Sequence, residues 1–398
     1  MNWRCSELAL PCGEVPAASV DGRRIATLTF VASQKAAGSK NLRNNPKTVP
    51  PQSVAADLKA AKAQQGSQAR QSGQGSKVGQ SSKGSAKKTG RPGGRPPGVA
   101  APPKATLGDW IGAARIQTLP IGIAPVALGT AAAFVLPHEE DGPGWHWLRA
   151  LLCLIVAVSL QVGVNFANDY SDGVRGTDRL RVGPQRLTAS GRAKPRTVLT
   201  VALMFFGIAV VAGVIIVIRT EYWWMLGVGA ACILAAWFYT GGKRPYGYYG
   251  LGELFAFVFF GLVATAGTTF VLADTVTIES WLAGVAIGLI ACAALMVNNI
   301  RDREQDASVG KRTLAVLIGE RPSRIVFSAF MLAPFLILIF FTLLYENAYL
   351  VFFVLLIAIP AAIITLTART PAELVLALRL TGLTALFYGL GLAFAIAL

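Results

Sequence analysis

The chain has 398 residues, is 53% hydrophobic and only 15% charged, and has a mean hydropathy of +0.51, a balance far more apolar than soluble domains show. The net charge of +16 is not the signature of a nucleic-acid binder, because 17 Lys and Arg against 4 Asp and Glu fall within the first 106 residues and the remainder is nearly balanced. Five cysteines without a CxxC pair indicate neither a zinc site nor a disulfide framework.

Residues 1–106 come first, and from about Ser33 to Pro103 they are rich in Gly, Ser, Gln, Pro, Ala and Lys. Such a segment buries too little apolar surface to offset the entropy of ordering, so a basic, disordered extension is predicted, one able to touch anionic headgroups. No apolar core preceded by basic residues opens the chain, so insertion is expected to use the first membrane helix rather than a cleavable signal. The next Met is Met204, inside the membrane domain, which leaves Val99 as an alternative initiator.

Residues 107–398 form the predicted membrane domain. Apolar runs near 118–136, 148–167, 197–218, 223–240, 251–273, 280–299, 325–345, 348–366 and 377–397 are each about the 20 residues needed to cross hydrocarbon. An all-α polytopic membrane protein with nine transmembrane helices is therefore expected. Basic residues gather before the first span and in every second connection, among them Arg115, Arg175, Arg186, Lys243, Arg244, Arg301, Arg303, Lys311, Arg312 and Arg369. Glu139, Glu140, Asp141, Glu221, Asp274, Glu279 and Glu346 occupy the opposite connections, with Arg219 the lone basic residue there. The positive-inside rule then predicts a cytoplasmic N-terminus and an external C-terminus.

The second span ends in Asn165, Asn168, Asp169 and Asp172, followed by Asp178. Each ionised Asp in hydrocarbon costs about 3 kcal/mol on insertion scales, and residues three or four apart share one helix face. Like charges so close repel unless a cation lies between them. The sixth span repeats the pattern, with Asn298, Asp302 and Asp306 spaced by four and Asn299 beside them. Two such sets at cytoplasmic helix ends can converge on a cavity and hold Mg²⁺, which takes one or two carboxylates and completes its shell with water and substrate phosphate. Pairing of these acids with neighbouring arginines is the bland alternative. Lys243, four residues after Tyr239, and Arg186, Lys311 and Arg312 are the cations expected to neutralise a departing diphosphate. Anchoring by the positive-inside effect explains basic loop residues without chemistry.

The run NDYSDGVRGTD at 168–178, the run NNIRDREQDASVGKRT at 298–313 and the Tyr239/Lys243 pair between them resemble the UbiA superfamily of intramembrane aromatic prenyltransferases. Asp178 lies two residues later than the general pattern, and Asn298 stands where the second motif has its first acid. Both departures resemble the branch that prenylates 1,4-dihydroxy-2-naphthoate, as do Arg115-Ile-Gln-Thr-Leu-Pro120, GPQRLTASG and PYGYYGLGE. The resemblance covers about residues 107–398. It implies a nine-helix fold around a central cavity open to lipid, and two Mg²⁺ ions, with Mn²⁺ as a substitute. It also implies transfer from a polyprenyl diphosphate to an aromatic acid, with loss of CO2, giving demethylmenaquinone.

On that reading Asp169, Asp172, Asp178, Asp302 and Asp306 hold the ions, with Asn168 and Asn298 as neutral ligands. Asn165, Asn299 and Arg115 orient substrate or acids, and Tyr239 and Tyr170, with Tyr246, face the allylic cation. Lys243, Asp169, Asp172 and Asp302 are the expected catalytic groups. Three rivals are weighed. A CDP-alcohol phosphotransferase shares the Asp169-to-Gly173 DxxDG element but needs more acids close downstream and fewer spans. An ion-coupled transporter favours midplane acids and interrupted helices. A different acceptor, such as 4-hydroxybenzoate or homogentisate, is the third.

Overall fold

The computed structural model describes residues 103–136, 147–178 and 186–398. The expected extension as far as position 102, together with Glu139, Glu140, Asp141, Arg179 and Arg181, lies outside them. The described residues belong to one unit, Gly94–Leu398, and among them there are helices and no strands.

Helix α1, Leu107–Ala114, starts on a reciprocal cap in which Asp109 N–H donates to Thr106 Oγ1 at 3.3 Å and Thr106 N–H donates to Asp109 at 2.8 Å. It stops at Arg115, whose φ of 57° is left-handed, a conformation that β-carbon contacts disfavour in non-glycine residues. A 3₁₀ turn, Ile116–Thr118, then bends the chain by 46° into α2, Pro120–Phe134. Proline at the first position suits that start, because its missing N–H has no intrahelical partner there.

Helix α3 is Trp147–Arg175, α4 Pro195–Thr220, α5 Met225–Phe238 and α6 Gly252–Ala273, with a π-helical stretch at Phe257–Val263. Then follow α7 Ile278–Ser308, the short α8 Leu314–Ile318, α9 Glu320–Leu344, α10 Glu346–Thr367 and α11 Pro371–Ala397. At 1.5 Å per residue α3 and α7 are about 45 Å long, against about 30 Å of hydrocarbon. Their polar C-terminal ends therefore have to leave the apolar layer or be enclosed by protein.

Among the described residues seven helices are long and apolar enough to cross a membrane, and the bent pair of α1 and α2, taken as one span, makes an eighth. The remaining expected span, 223–240, corresponds to α5, which has only 14 residues. All nine apolar runs are thus helical, as an all-α membrane bundle requires. Two of the runs make short helices for local reasons: the first lies beyond the bend between Thr118 and Pro120, and the fourth gives way to a Gly241-Gly242 turn, with Gly242 at φ 75°.

The largest apolar cluster surrounds α7, where Ile287, Ile290 and Met296 meet Phe327, Met331 and Phe341 of α9 and Tyr388 of α11. A second cluster joins α3 to α4 through Val162, Phe166, Val198, Ala202 and Phe206. Leu336 and Leu343 of α9 and Phe353 and Leu356 of α10 stay exposed. A soluble monomer does not leave so much apolar surface open; a bilayer covers it. Hydrocarbon offers no hydrogen bonds, so polar side chains inside the bundle turn to backbone carbonyls. Tyr388 donates to Pro334 O at 2.9 Å, and Arg324 donates to the carbonyls of Thr365, Leu366 and Ala368.

Candidate active site

The polar ends of α3 and α7 meet. Gln305 Nε2 donates to Thr177 O at 2.8 Å, and Lys311 Nζ, just beyond α7, donates to Asp172 Oδ2 at 3.1 Å. Between them lies a cavity of about 80 Å³. Asn168, Asp172 and Asp178 line it from the α3 side, and Asn298, Asn299, Asp302 and Asp306 from α7. Arg115, Arg186, Tyr239, Tyr248 and Lys311 also line it. A smaller cavity of about 40 Å³ adjoins it and shares Arg115, Arg186 and Asn298, adding Asp169 and Arg301.

Burying a charge is costly unless it is paired, and the pairings here are dense. Asp172, 3% exposed, accepts from Tyr248 Oη at 2.7 Å as well as from Lys311, and Arg186 stands 3.9 Å away. Arg186 Nε lies 3.3 Å from Asp178, and Lys311 Nζ 3.7 Å from Asp306. Burial disfavours charge on Lys311, but Asp172 and Asp306 more than offset it and lift the pKa above the usual lysine value. Burial likewise opposes the Arg186 charge, and Asp178 and Asp172 outweigh it. Burial, then the Asp172 carboxylate, raises the Tyr248 phenol. The Tyr248 ring carries Lys311 at 4.7 Å and Arg175 at 5.4 Å over its face, and Arg175 also donates to Thr240 O and Gly242 O.

The amides are oriented too. Asn168 Oδ1 accepts from Thr240 Oγ1 at 2.6 Å, Asn298 Nδ2 donates to Ala294 O at 2.9 Å, and Asn299 Nδ2 donates to the buried Glu253 at 2.8 Å. Asp302 takes two bonds from Arg301, at 2.8 and 2.9 Å.

Several expected residues stand elsewhere. Lys243 is exposed and does not line the cavity, because the Gly241-Gly242 turn carries the chain outward; the buried lysine is Lys311. Arg312 is exposed, and its backbone N–H donates to Tyr248 O at 2.9 Å. Asn165 donates to Ala114 O at 3.0 Å, tying α3 to α1, and Tyr170 packs on the α3–α4 cluster. Asp169 is turned toward the smaller cavity, and both its oxygens accept backbone N–H groups, from Leu187 and Thr188 at 2.9 Å each.

Tyr248, Thr240, Arg301, Gln305 and Glu253 join the site without having been singled out. Tyr248 belongs to an aromatic run that reads equally as an interfacial anchor. Its place is set by Gly247, where a Cβ would come within 2.6 Å of Tyr239 O.

Among the described residues no three His, Cys, Asp or Glu side chains stand together as a complete ion cage. The donor set still fits Mg²⁺. Its carboxylates and amide oxygens are hard ligands on two facing helices, and Mg²⁺ draws only one or two carboxylates per ion from the protein.

Fold and cavity together define an integral membrane protein with a charged pocket closed by two helix ends. The profile of the UbiA prenyltransferase family matches residues 124–374, and the chain belongs to that family. The 1,4-dihydroxy-2-naphthoate octaprenyltransferase of Mycobacterium tuberculosis is 43% identical, over 74% of this chain and 98% of its own length. The Escherichia coli protein of the same name is 39% identical, over 54% of this chain and 70% of its own. The apo structure of a UbiA homolog from Aeropyrum pernix K1 superimposes with a TM-score of 0.53 at 17% identity, covering 68% of this chain and 96% of that one, a likeness of fold.

Proposed function

We propose that this protein transfers a polyprenyl chain from a polyprenyl diphosphate to 1,4-dihydroxy-2-naphthoate with loss of CO2, a step of menaquinone synthesis. The observation that carries the reading is the meeting of two acidic helix ends in one cavity walled by Lys311 and Arg186, in a chain that parallels a naphthoate prenyltransferase over 98% of that relative's length.

Asp172, Asp178, Asp302 and Asp306, with the Asn168 and Asn298 amides, would hold Mg²⁺ on the diphosphate. When bound, the ion neutralises phosphate charge and eases departure of the leaving group. Lys311 and Arg186, held charged by the acids around them, turn to the diphosphate oxygens as the carbon–oxygen bond breaks and the bonding pair leaves with pyrophosphate. Tyr239, at the wall, presents its ring face to the allylic cation. The smaller cavity, bounded by Arg115, Arg186 and Arg301, is the place for the acceptor carboxylate. The ring carbon bearing that carboxylate forms the new carbon–carbon bond. CO2 then departs and leaves its electron pair to restore the ring, yielding the reduced form of demethylmenaquinone. The apolar bundle keeps out the water that would quench the cation. We place the N-terminus and the cavity on the cytoplasmic side of a bacterial cell membrane and the C-terminus outside, because the basic connections lie at the cavity end.

Purified full-length protein with Mg²⁺, a polyprenyl diphosphate and carboxyl-labelled 1,4-dihydroxy-2-naphthoate should release labelled CO2 in proportion to prenylated product. Preference for 4-hydroxybenzoate, or prenylation with the label retained, would sink the assignment.

A further inference from the structure

We infer that Asp169 is a positioning residue, a peg that holds the 186–190 segment so that Arg186 faces the diphosphate, and not a ligand of the ion. The inference rests on the reading of the cavity given above.

Asp169 is 1% exposed, and its two oxygens are each taken by one backbone donor: Leu187 N–H on Oδ2 and Thr188 N–H on Oδ1, both at 2.9 Å. Each oxygen keeps a second lone pair, but rotating the carboxylate off these donors and into the larger cavity would orphan two buried N–H groups, which proteins rarely tolerate. Asp172, less than one helical turn away, lines the larger cavity, whereas Asp169 borders the smaller one.

The same face of α3 carries a second part of the socket. Gly173 follows Asp169 by four residues, and a Cβ there would come within 2.5 Å of Thr188 Cβ and Cγ2. Glycine is therefore what lets Thr188 seat against the helix. Leu187, 1% exposed, plugs into the α3–α4 apolar cluster, and its carbonyl accepts from Ala193 N–H at 3.2 Å. Arg186 immediately precedes this anchored pair, and its guanidinium reaches Asp178 and Asp172. The segment is a turn rather than a long helix or strand, so its register on α3 decides where Arg186 points.

The test uses the full-length protein in nanodiscs, with Mn²⁺ as a spectroscopic probe of the ion site. Asp169→Asn offers one acceptor where two donors converge, and Gly173→Ala displaces Thr188 without touching any acid. Both should speed amide exchange at Leu187 and Thr188 and raise KM for the prenyl diphosphate by about tenfold or more, since displacement of a binding group by about 1 Å can cost up to about 10²-fold. Mn²⁺ affinity should stay within about twofold in both, but fall in Asp302→Asn. The Gly173→Ala arm keeps the proposal falsifiable should Asp169→Asn fold poorly. If Asp169→Asn weakens Mn²⁺ as Asp302→Asn does while the two amides stay protected, the peg is overturned and the cavity reading survives. If Asp302→Asn also leaves Mn²⁺ binding intact, the cavity reading falls with it.

Discussion

The ends of α3 and α7 look like duplicates in the sequence, each a run of Asn and Asp on one helix face, yet the fold uses them differently. The α3 end is sealed: Asp169 and Asp172 are 1% and 3% exposed and are held by groups from other segments, namely Leu187, Thr188, Tyr248 and Lys311. The α7 end is more open, and the Asp302 side chain, 13% exposed, meets Arg301, its own neighbour in the chain. Similar carboxylate patterns thus divide their labour: Asp169 of α3 is bound to backbone amides, whereas Asp172 of α3 and Asp302 and Asp306 of α7 line one cavity.

Substitutions can break or sharpen that contrast. The largest effect is expected at two of the acids lining that cavity: Asp302→Ala and Asp172→Ala should each lower prenyl transfer by about 10³-fold or more, as loss of a group that stabilises developing charge does. Equal turnover in either variant would undo the shared-cavity reading. Lys311→Gln comes next, with a loss of about 10²-fold, clearly greater than that of Lys243→Gln in the same assay. A reversed order would return the lysine role to the exposed loop. Tyr248→Phe removes one bond to a charged acceptor and should lower kcat/KM by about tenfold, with Lys311→Gln less harmful in the Tyr248→Phe background than alone if the two act on Asp172 together. The smallest effect belongs to the apolar body: Tyr388→Phe loses its bond to Pro334 O and should cost about 1 kcal/mol of stability at unchanged transfer, read by thermal unfolding beside the activity assay.

The chain itself determined the membrane character, the apolar helices and the two acidic helix ends, since hydrophobic periodicity and intramembrane charge are local properties. The family resemblance likewise rested on contiguous runs. It could not separate Asp169 from Asp172: both stand on the helix end, and only the packed loop shows that one faces backbone amides and the other a cavity. Nor could it choose between Lys243 and Lys311, because the choice turns on a Gly-Gly corner that carries one outward and on the return of the chain after α7 that carries the other in. Tyr248 was hidden for the same reason, being a tyrosine among tyrosines until Gly247, packed against Tyr239, sets it beside Asp172. Helix formation and burial are decided by neighbours along the chain and by the solvent. Which ionised group pairs with which is decided by segments distant in sequence, and that only the tertiary structure settles.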